Sequence, residues 1–274
     1  MDTDIAEPAD QDAEDMRARR ASSFGAASAQ YARHRPDYAE AAIRWALEPL
    51  AASGPRVLDL GAGTGILTGA LVRLGAEVIA AEPDPLMLAE LRRRLPAVPV
   101  IQSRAEAIAL PGASVDAVLC GQSMHWFDLG RALPEIGRVL RPGGVLAGLW
   151  NMQDDRVAWV AALAELAANS ASITGWHKAP QPGSDRAVLE AGSTWFTPVQ
   201  AAEFDNPRPQ TAEAMVATVA TTSQLLVMPE AERARTLDEL RAFLAARPET
   251  ATGTFILPQV TGVLRAIRRE KPEP

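Results

Sequence analysis

The residues best suited to hold a ligand form one run, Asp59-Leu60-Gly61-Ala62-Gly63-Thr64-Gly65, joined by a single acid, Glu82, that lies 21 residues beyond Gly61. Alternate glycines let a loop bend sharply and bring its backbone against a ligand with no Cβ between them. An acid closing the next apolar run can accept a hydrogen bond from each hydroxyl of a ribose, and its charge repels a 2'-phosphate. Asp59, at the entrance of the loop, favours a ligand that carries positive charge. Other reactive side chains are few: His34, His125, His177, the two tyrosines Tyr31 and Tyr38, and Cys120. One cysteine makes neither an intramolecular disulfide framework nor a multi-thiolate metal site. No metal is expected, and Cys120, at the end of Val115-Asp116-Ala117-Val118-Leu119-Cys120, reads as a small buried hydrophobe.

Positioning such a loop takes a strand before it and a helix after it. Val57-Leu58-Asp59-Leu60 reads as the strand, and 66–74, closed by Gly75, as the helix. Val78-Ile79-Ala80-Ala81 is the next strand; Asp84 then caps a helix with Pro85 at its first position, ending at Pro96. Strands follow at 98–102, 115–120 and 144–150, the last after a helix over 131–140 and the turn Arg141-Pro142-Gly143-Gly144. Apolar strands alternating with helices mean a parallel sheet covered on both faces. Upstream, Asp37 with Glu40 three residues on has capping-box spacing and opens a helix carrying Ile43, Trp45, Leu47 and Leu50. Downstream, a helix near 154–169 leads into an irregular stretch, then a strand near 199–205, helices near 211–223 and 229–246, and an apolar segment around 254–268.

The cofactor follows from charge. A nicotinamide or flavin dinucleotide would set its doubly charged pyrophosphate against Asp59, and Gly61-x-Gly63-x-Gly65 lacks the third-glycine offset of the dinucleotide fingerprint. S-adenosylmethionine (SAM) has no phosphate and brings an ammonium and a sulfonium. The run from Asp59 to Gly65, Glu82-Pro83-Asp84-Pro85-Leu86-Met87-Leu88, Ser103-Arg104-Ala105-Glu106, Ser114-Val115-Asp116 and Leu140-Arg141-Pro142-Gly143-Gly144 together resemble class I SAM-dependent methyltransferases over residues 56–151. Tyr31-x-x-x-Arg35-Pro36-x-Tyr38 and His125-Trp126-Phe127-Asp128 look like the small-molecule branch that includes trans-aconitate methyltransferase-like enzymes.

The resemblance implies a doubly wound, Rossmann-like α/β fold with a seven-stranded, mostly parallel sheet, a helical cap insertion and an N-terminal lid segment. It implies SAM as cofactor and S-adenosylhomocysteine (SAH) as product. Gly61, Ala62 and Gly63 would line the methionine and ribose, Asp59 would orient the amino end, and Glu82 would take the ribose hydroxyls. Pro83 and Met87 would pack on an adenine face, Ala105 and Glu106 would meet the adenine edge, and Gln122 would face the methionine.

Methyl transfer from a sulfonium is an in-line displacement with a neutral leaving group, so positioning is most of the task, and a base serves only an acceptor that must lose a proton. His125 is the candidate base, with Trp126 and Phe127 as pocket walls; His34 and His177 are candidates for substrate contact. Residues 21–36 read as a lid that brings Tyr31 to the methyl group or acceptor and Arg35 to the methionine carboxylate; in the rival reading Tyr31 and Tyr38 only staple the segment to the sheet edge. Trp150, Trp176 and Trp195 would furnish an apolar, aromatic acceptor pocket. The acceptor is then a small, largely apolar metabolite of specialised metabolism, methylated on O or N, with methylation of an alkene carbon as the variant that aromatic faces would assist.

Charge separates this reading from its rivals. The formal charge is -7, and residues 1–16 hold seven acids and no base, so the rest of the chain is neutral. A neutral body offers no general field for nucleic acid, which disfavours a nucleic-acid or protein methyltransferase, while Asp59 disfavours a nicotinamide-dependent oxidoreductase. The 47% hydrophobic content supports a buried core, no run is long enough to span a membrane, and the acidic N-terminus is unlike a signal peptide, so a cytoplasmic location is expected. The expected layout is an acidic tail (1–20), lid and first helix (21–55), SAM-binding core (56–151), substrate cap (152–198) and a C-terminal part that completes the sheet (199–274). A lid exchanged between subunits would make a homo-oligomer.

Overall fold

The structure, a computed structural model, describes residues 36–50, 54–167, 173–177, 185–190, 194–220, 222, 225 and 228–270. Its centre is a run of strands and helices: β1 (Arg56–Leu60), α2 (Ile66–Arg73), β2 (Glu77–Ala81), α3 (Pro85–Arg94), β3 (Val100–Ile101), β4 (Val115–Gly121), α4 (Leu129–Val139) and β5 (Leu140–Gln153), preceded by α1 (Glu40–Leu47). With β6 (Gln200–Asp205) and β9 (Gln259–Ile267) the strands form one seven-stranded sheet in the order β3-β2-β1-β4-β5-β9-β6. β9 runs antiparallel to both its neighbours, and the first five strands are parallel. This is the mostly parallel, doubly wound α/β architecture that the sequence predicts.

The parallel strands are apolar because both faces are covered. On one face Ile43 and Ala46 of α1 and Leu67 and Leu71 of α2 pack over Val57, Ala117, Ala147 and Leu149. On the other, α4 lays Leu129, Leu133 and Ile136, spaced by four and three residues, over Leu58, Val118 and Leu146. Cys120 is buried within this second layer.

Three local features differ from expectation. Asp37 does not cap α1: the N-cap is Ala39, whose N–H donates to Thr261 Oγ1, while Asp37 pairs with Arg73 at 2.6 Å and Glu40 with Arg44. A tertiary partner has replaced the local cap. The turn at 141–144 lies within β5, where pairing with β4 jumps from Val115↔Leu140 to Ala117↔Val145, and the strand continues to Gln153. The apolar segment near 254–268 breaks at Pro258 into β8 (Thr254–Leu257) and β9, which join different sheets.

A separate layer is built from α5 (Ala158–Leu166), β7 (Arg208–Thr211), α8 (Ala212–Ala220), α9 (Glu230–Ala245) and β8. Trp159, Val160, Leu163, Val216, Leu240 and Phe255 form its core, and β7 pairs with β8 alone. It thus joins the beginning of the 152–198 segment to residues between β6 and β9. The helices α6 (Ile173–His177) and α7 (Asp185–Glu190) pack elsewhere: Trp176, Leu189 and Trp195 lie against the α4 face of the sheet.

Candidate active site

β1 delivers the chain to the glycine loop at the carboxyl edge of the sheet. Gly61 and Ala62 donate their N–H groups to Ala81 O, which ties the loop to the end of β2. Gly61 (φ +71) must be glycine because a Cβ there would stand 2.6 Å from Ser123 Cβ. Gly63 (φ +55) differs, since a Cβ at that position would meet nothing within 4 Å. The loop is therefore closed by protein at Gly61 and open for a ligand at Gly63.

Glu82 follows β2 and is buried. Its Oε2 accepts from Gly63 N–H and its Oε1 from Asp84 N–H, each at 2.9 Å. Burial pushes its carboxyl above the ordinary value, against those two N–H groups. Asp84, in turn, caps α3 by accepting from Leu86 and Met87 N–H, as its position before Pro85 predicts. Each Glu82 oxygen keeps a lone pair beyond its backbone bond, so the loop is held in shape while the carboxylate stays able to accept from hydroxyls.

Asp59 is completely buried one residue before the end of β1. Thr68 Oγ1 on α2 donates to its Oδ2 at 2.5 Å, and its Oδ1 has no partner among the described residues. Burial, partly offset by Thr68 and augmented by the charge of Glu82, pushes its pKa to about 7. A buried acceptor without a donor is unfavourable until a ligand supplies one. The orphaned Oδ1, the open space at Gly63 and the two neighbouring acids fit a ribose-bearing cation such as SAM and disfavour a pyrophosphate.

The end of β4 completes this edge. Gln122 adopts φ +54, rare for a side-chain-bearing residue, and its Nε2 donates to Asn151 O at 2.9 Å. Ser123 donates to Leu60 O and packs on Gly61, locking the ends of β4 and β1 together. Asn151, near the end of β5, donates from Nδ2 to Asp37 O and accepts at Oδ1 from Thr261 Oγ1 and Asn206 Nδ2. Asn206 also donates to Asp37 O. This network clamps the start of the described chain to β5, β9 and the end of β6. Beside it a small, open cleft of about 120 Å³ lies between the sheet edge and the β7/β8/α8 layer, lined among others by Pro36, Tyr38, Gln122, Asn151, Gln153 and Arg208.

The other expected residues are distributed as follows. Met87 is buried on α3, Pro83 is exposed beside Glu82, and Ala105 is buried in the core. Glu106 is committed to protein partners, accepting from Asp128 N–H and lying 3.6 Å from Arg104. His125 lies on a 3₁₀ turn (Met124–Trp126), exposed, its ring 4.7 Å from that of Trp126, and neither contributes to the cleft lining. Strand alternation turns Trp150 to the face opposite Asn151, where it packs against Trp176 at 5.7 Å. Trp195 fills the space beside Gly137, and His177 pairs with Glu203. The three tryptophans expected to wall an acceptor thus serve the sheet face, and the cleft is lined largely by amides and hydroxyls instead. Tyr31, His34 and Arg35 lie outside the described residues. Sequence reasoning passed over Thr68, Ser123, Asn151, Arg208 and Gln210. A threonine on the buried face of an apolar helix, nine residues after Asp59, was a usable signal; the others become neighbours only by folding.

Among the described residues no cluster of three or more His, Cys, Asp or Glu could hold a metal, and no helix is long and apolar enough to cross a membrane. The sheet order, the open glycine loop and the paired acids define a class I SAM-dependent methyltransferase. A family model described as a methyltransferase domain matches residues 58–148. An uncharacterised methyltransferase of Mycobacterium bovis is 42% identical over 89% of this chain and 95% of its own length. The chain belongs to this methyltransferase family. A methyltransferase structure from Anaeromyxobacter dehalogenans is 26% identical and superposes with a TM-score of 0.64 over 87% of this chain and 99% of that one. A malonyl-acyl-carrier-protein O-methyltransferase of Enterobacter lignolyticus is 38% identical over 46% of this chain and 51% of its own.

Proposed function

We propose that the enzyme methylates a small-molecule acceptor held in the cleft between the sheet edge and the β7/β8/α8 layer. The observation that carries this reading is the position of the cleft: it opens beside Ile66 and Gln122, which flank the glycine loop, and polar side chains line it. The neutral charge of residues 17–274 supports it against a polyanionic substrate. Similarity to an O-methyltransferase supports oxygen as the accepting atom ahead of nitrogen or an alkene carbon.

Bound SAM supplies an electrophilic methyl group on a sulfonium. The chain's own residues bind and orient. Asp59 Oδ1 would accept from the amino end, Glu82 would accept from the ribose hydroxyls, and Gly63 would leave room for the sugar. Gln122 sits between cofactor and cleft, and Met87 with Pro83 takes the adenine. The lid reading for residues 21–36 gains support from the position of Pro36 in the cleft wall and from its anchoring by Asn151. Tyr31 and Arg35, a few residues upstream, would then close over the methyl group and the methionine carboxylate. His125 lies outside the lining of this cleft, so an acceptor held there is methylated without it, and His125→Asn should leave turnover and SAM affinity unchanged. A cytoplasmic location suits a metabolite substrate.

Isothermal titration with SAM and SAH is the first test, and absence of binding to both refutes the methyltransferase reading. Incubation with labelled SAM and fractionated cell extract tests the acceptor. Label in the low-molecular-weight fraction supports a metabolite, whereas label retained on protein or nucleic acid overturns it. Affinity of Arg35→Ala, and of a chain starting at Asp37, tests the lid; SAM binding and turnover equal to those of the full chain would eliminate it.

A further inference from the structure

Most guanidinium groups held against the body of this protein are fully engaged. Arg138 binds Glu135, Ile108 O and Leu110 O, and Arg265 binds Gln200, Trp45 O and Glu48. Arg56 Nε and Arg268 Nη1 are buried without a hydrogen-bond partner, but both side chains are otherwise held, Arg56 by Glu77 and Arg268 by Gly137 O; Arg208 differs from all of these. It is half-buried in the cleft wall and makes no hydrogen bond or ion pair with any described residue. The charge nearest in effect is Asp37, whose Oδ2 is already held by Arg73 at 2.6 Å. Two residues further along β7, on the same face by strand alternation, Gln210 is 5% exposed, lines the cleft, and has an amide nitrogen without a partner among the described residues. Pro209, between them, points the other way, beside its partner Ile256 on the exposed face. The carbonyl oxygens of Gln153 and Gln259, also in the lining, have no partner among the described residues either. Leaving such a group unmet is unfavourable, and here several converge on one space.

We propose that Arg208 and the Gln210 amide form a subsite that holds a carboxylate of the acceptor. This rests on the reading that the acceptor occupies the cleft. A planar guanidinium matches a planar carboxylate bidentately. Arg208 is the one ionised side chain among the described lining residues, so one negative charge is balanced and a phosphate dianion is not. Gln153 and Gln259 supply acceptors for a hydroxyl or amide elsewhere on the same ligand, and Met215, Val219 and Leu257 offer apolar contact to its body. The substrate class is therefore a small organic acid, rather than the largely apolar metabolite that the tryptophans suggested.

The test uses full-length enzyme saturated with SAH, with hexanoate, benzoate, hexanamide, benzamide and inorganic phosphate as probes in ligand-observed NMR. Both carboxylates should bind, and the amides and phosphate should bind at least about 10-fold more weakly. Arg208→Gln should weaken carboxylate binding about 10- to 100-fold, Arg208→Lys less, and Gln210→Leu by a smaller factor. The SAH affinity of each variant reports an intact fold. Failure of the wild type to bind SAH removes the methyltransferase reading and this subsite together. Normal SAH binding with no carboxylate binding, with carboxylates and amides bound equally, with phosphate preferred, or with Arg208→Gln indistinguishable from wild type overturns the subsite alone.

Discussion

Replacing Asp59 with asparagine separates what its carboxylate does for the ligand from what it costs the fold. Burial raises its pKa from 3.8 to about 7, and each unit of difference between folded and unfolded states is worth about 1.4 kcal/mol. The shift of about three units therefore amounts to roughly 4 kcal/mol. The sign is set by the raised folded value: the folded protein keeps a proton that the unfolded chain releases, so this contribution is full below about pH 4 and is lost as pH rises through about 7. Asparagine does not titrate and keeps an oxygen for the Thr68 hydroxyl. Without ligand, Asp59→Asn should be more stable than wild type by an amount that grows from pH 5 to 8 and approaches roughly 4 kcal/mol, or about 10 °C in Tm. Its SAM affinity should fall at least about 10-fold, the loss of a hydrogen bond to a charged group. Wild-type SAM affinity should weaken toward about tenfold per pH unit below 7, because the ligand's cations require the ionised carboxylate. Urea and thermal unfolding across that pH range, with titration calorimetry, measure both quantities. A stability difference equal at pH 5 and pH 8, or a variant less stable at pH 8, would refute the reasoning.

Glu82→Gln replaces one acceptor with a donor facing Gly63 or Asp84 N–H, and SAM affinity by calorimetry should drop about 10- to 100-fold. The two loop glycines should respond differently. Gly61→Ala meets Ser123 and should lower unfolding free energy by about 2–3 kcal/mol, whereas Gly63→Ala should lose only about 1 kcal/mol while losing SAM affinity through the Cβ placed in the open space. Asn151→Ala removes one of the two donors to the Asp37 carbonyl, the other being Asn206, and the acceptor of the Thr261 hydroxyl; a loss of about 1–2 kcal/mol should accompany faster amide exchange at Asp37–Ala39, and unchanged exchange there would argue against the clamp.

The parallel half of the sheet and its connecting turns were legible because their determinants are local. The glycine run, Glu82 and the Asp84-Pro85 cap act within a few residues of their own strand ends, and an apolar run covered on both faces announces a parallel sheet. Asp37 shows where local reading fails: its spacing to Glu40 is correct for a cap, yet a threonine 222 residues away from Ala39 takes the N–H. The tryptophans failed for a related reason. Composition marks Trp150 as a candidate pocket wall, but the pleat of β5 and a β9 glycine, Gly262, which pairs with Trp150, decide that it packs against Trp176 on the far face of the sheet.

By itself the sequence determined the α/β class and, through its resemblance to class I SAM-dependent methyltransferases, the methyltransferase family, since the strand–loop–helix run and its motifs depend on residue type at short spacing. Only the tertiary structure decided how the acceptor cleft is made. β7 and α8 come from between β6 and β9, α5 from before α6, and Asn151 from the end of β5. Arg208 and Gln153 line one space because the β7/β8/α8 layer folds over the sheet edge, and whether a buried polar group has a partner is a property of that packing, invisible to spacing along the chain.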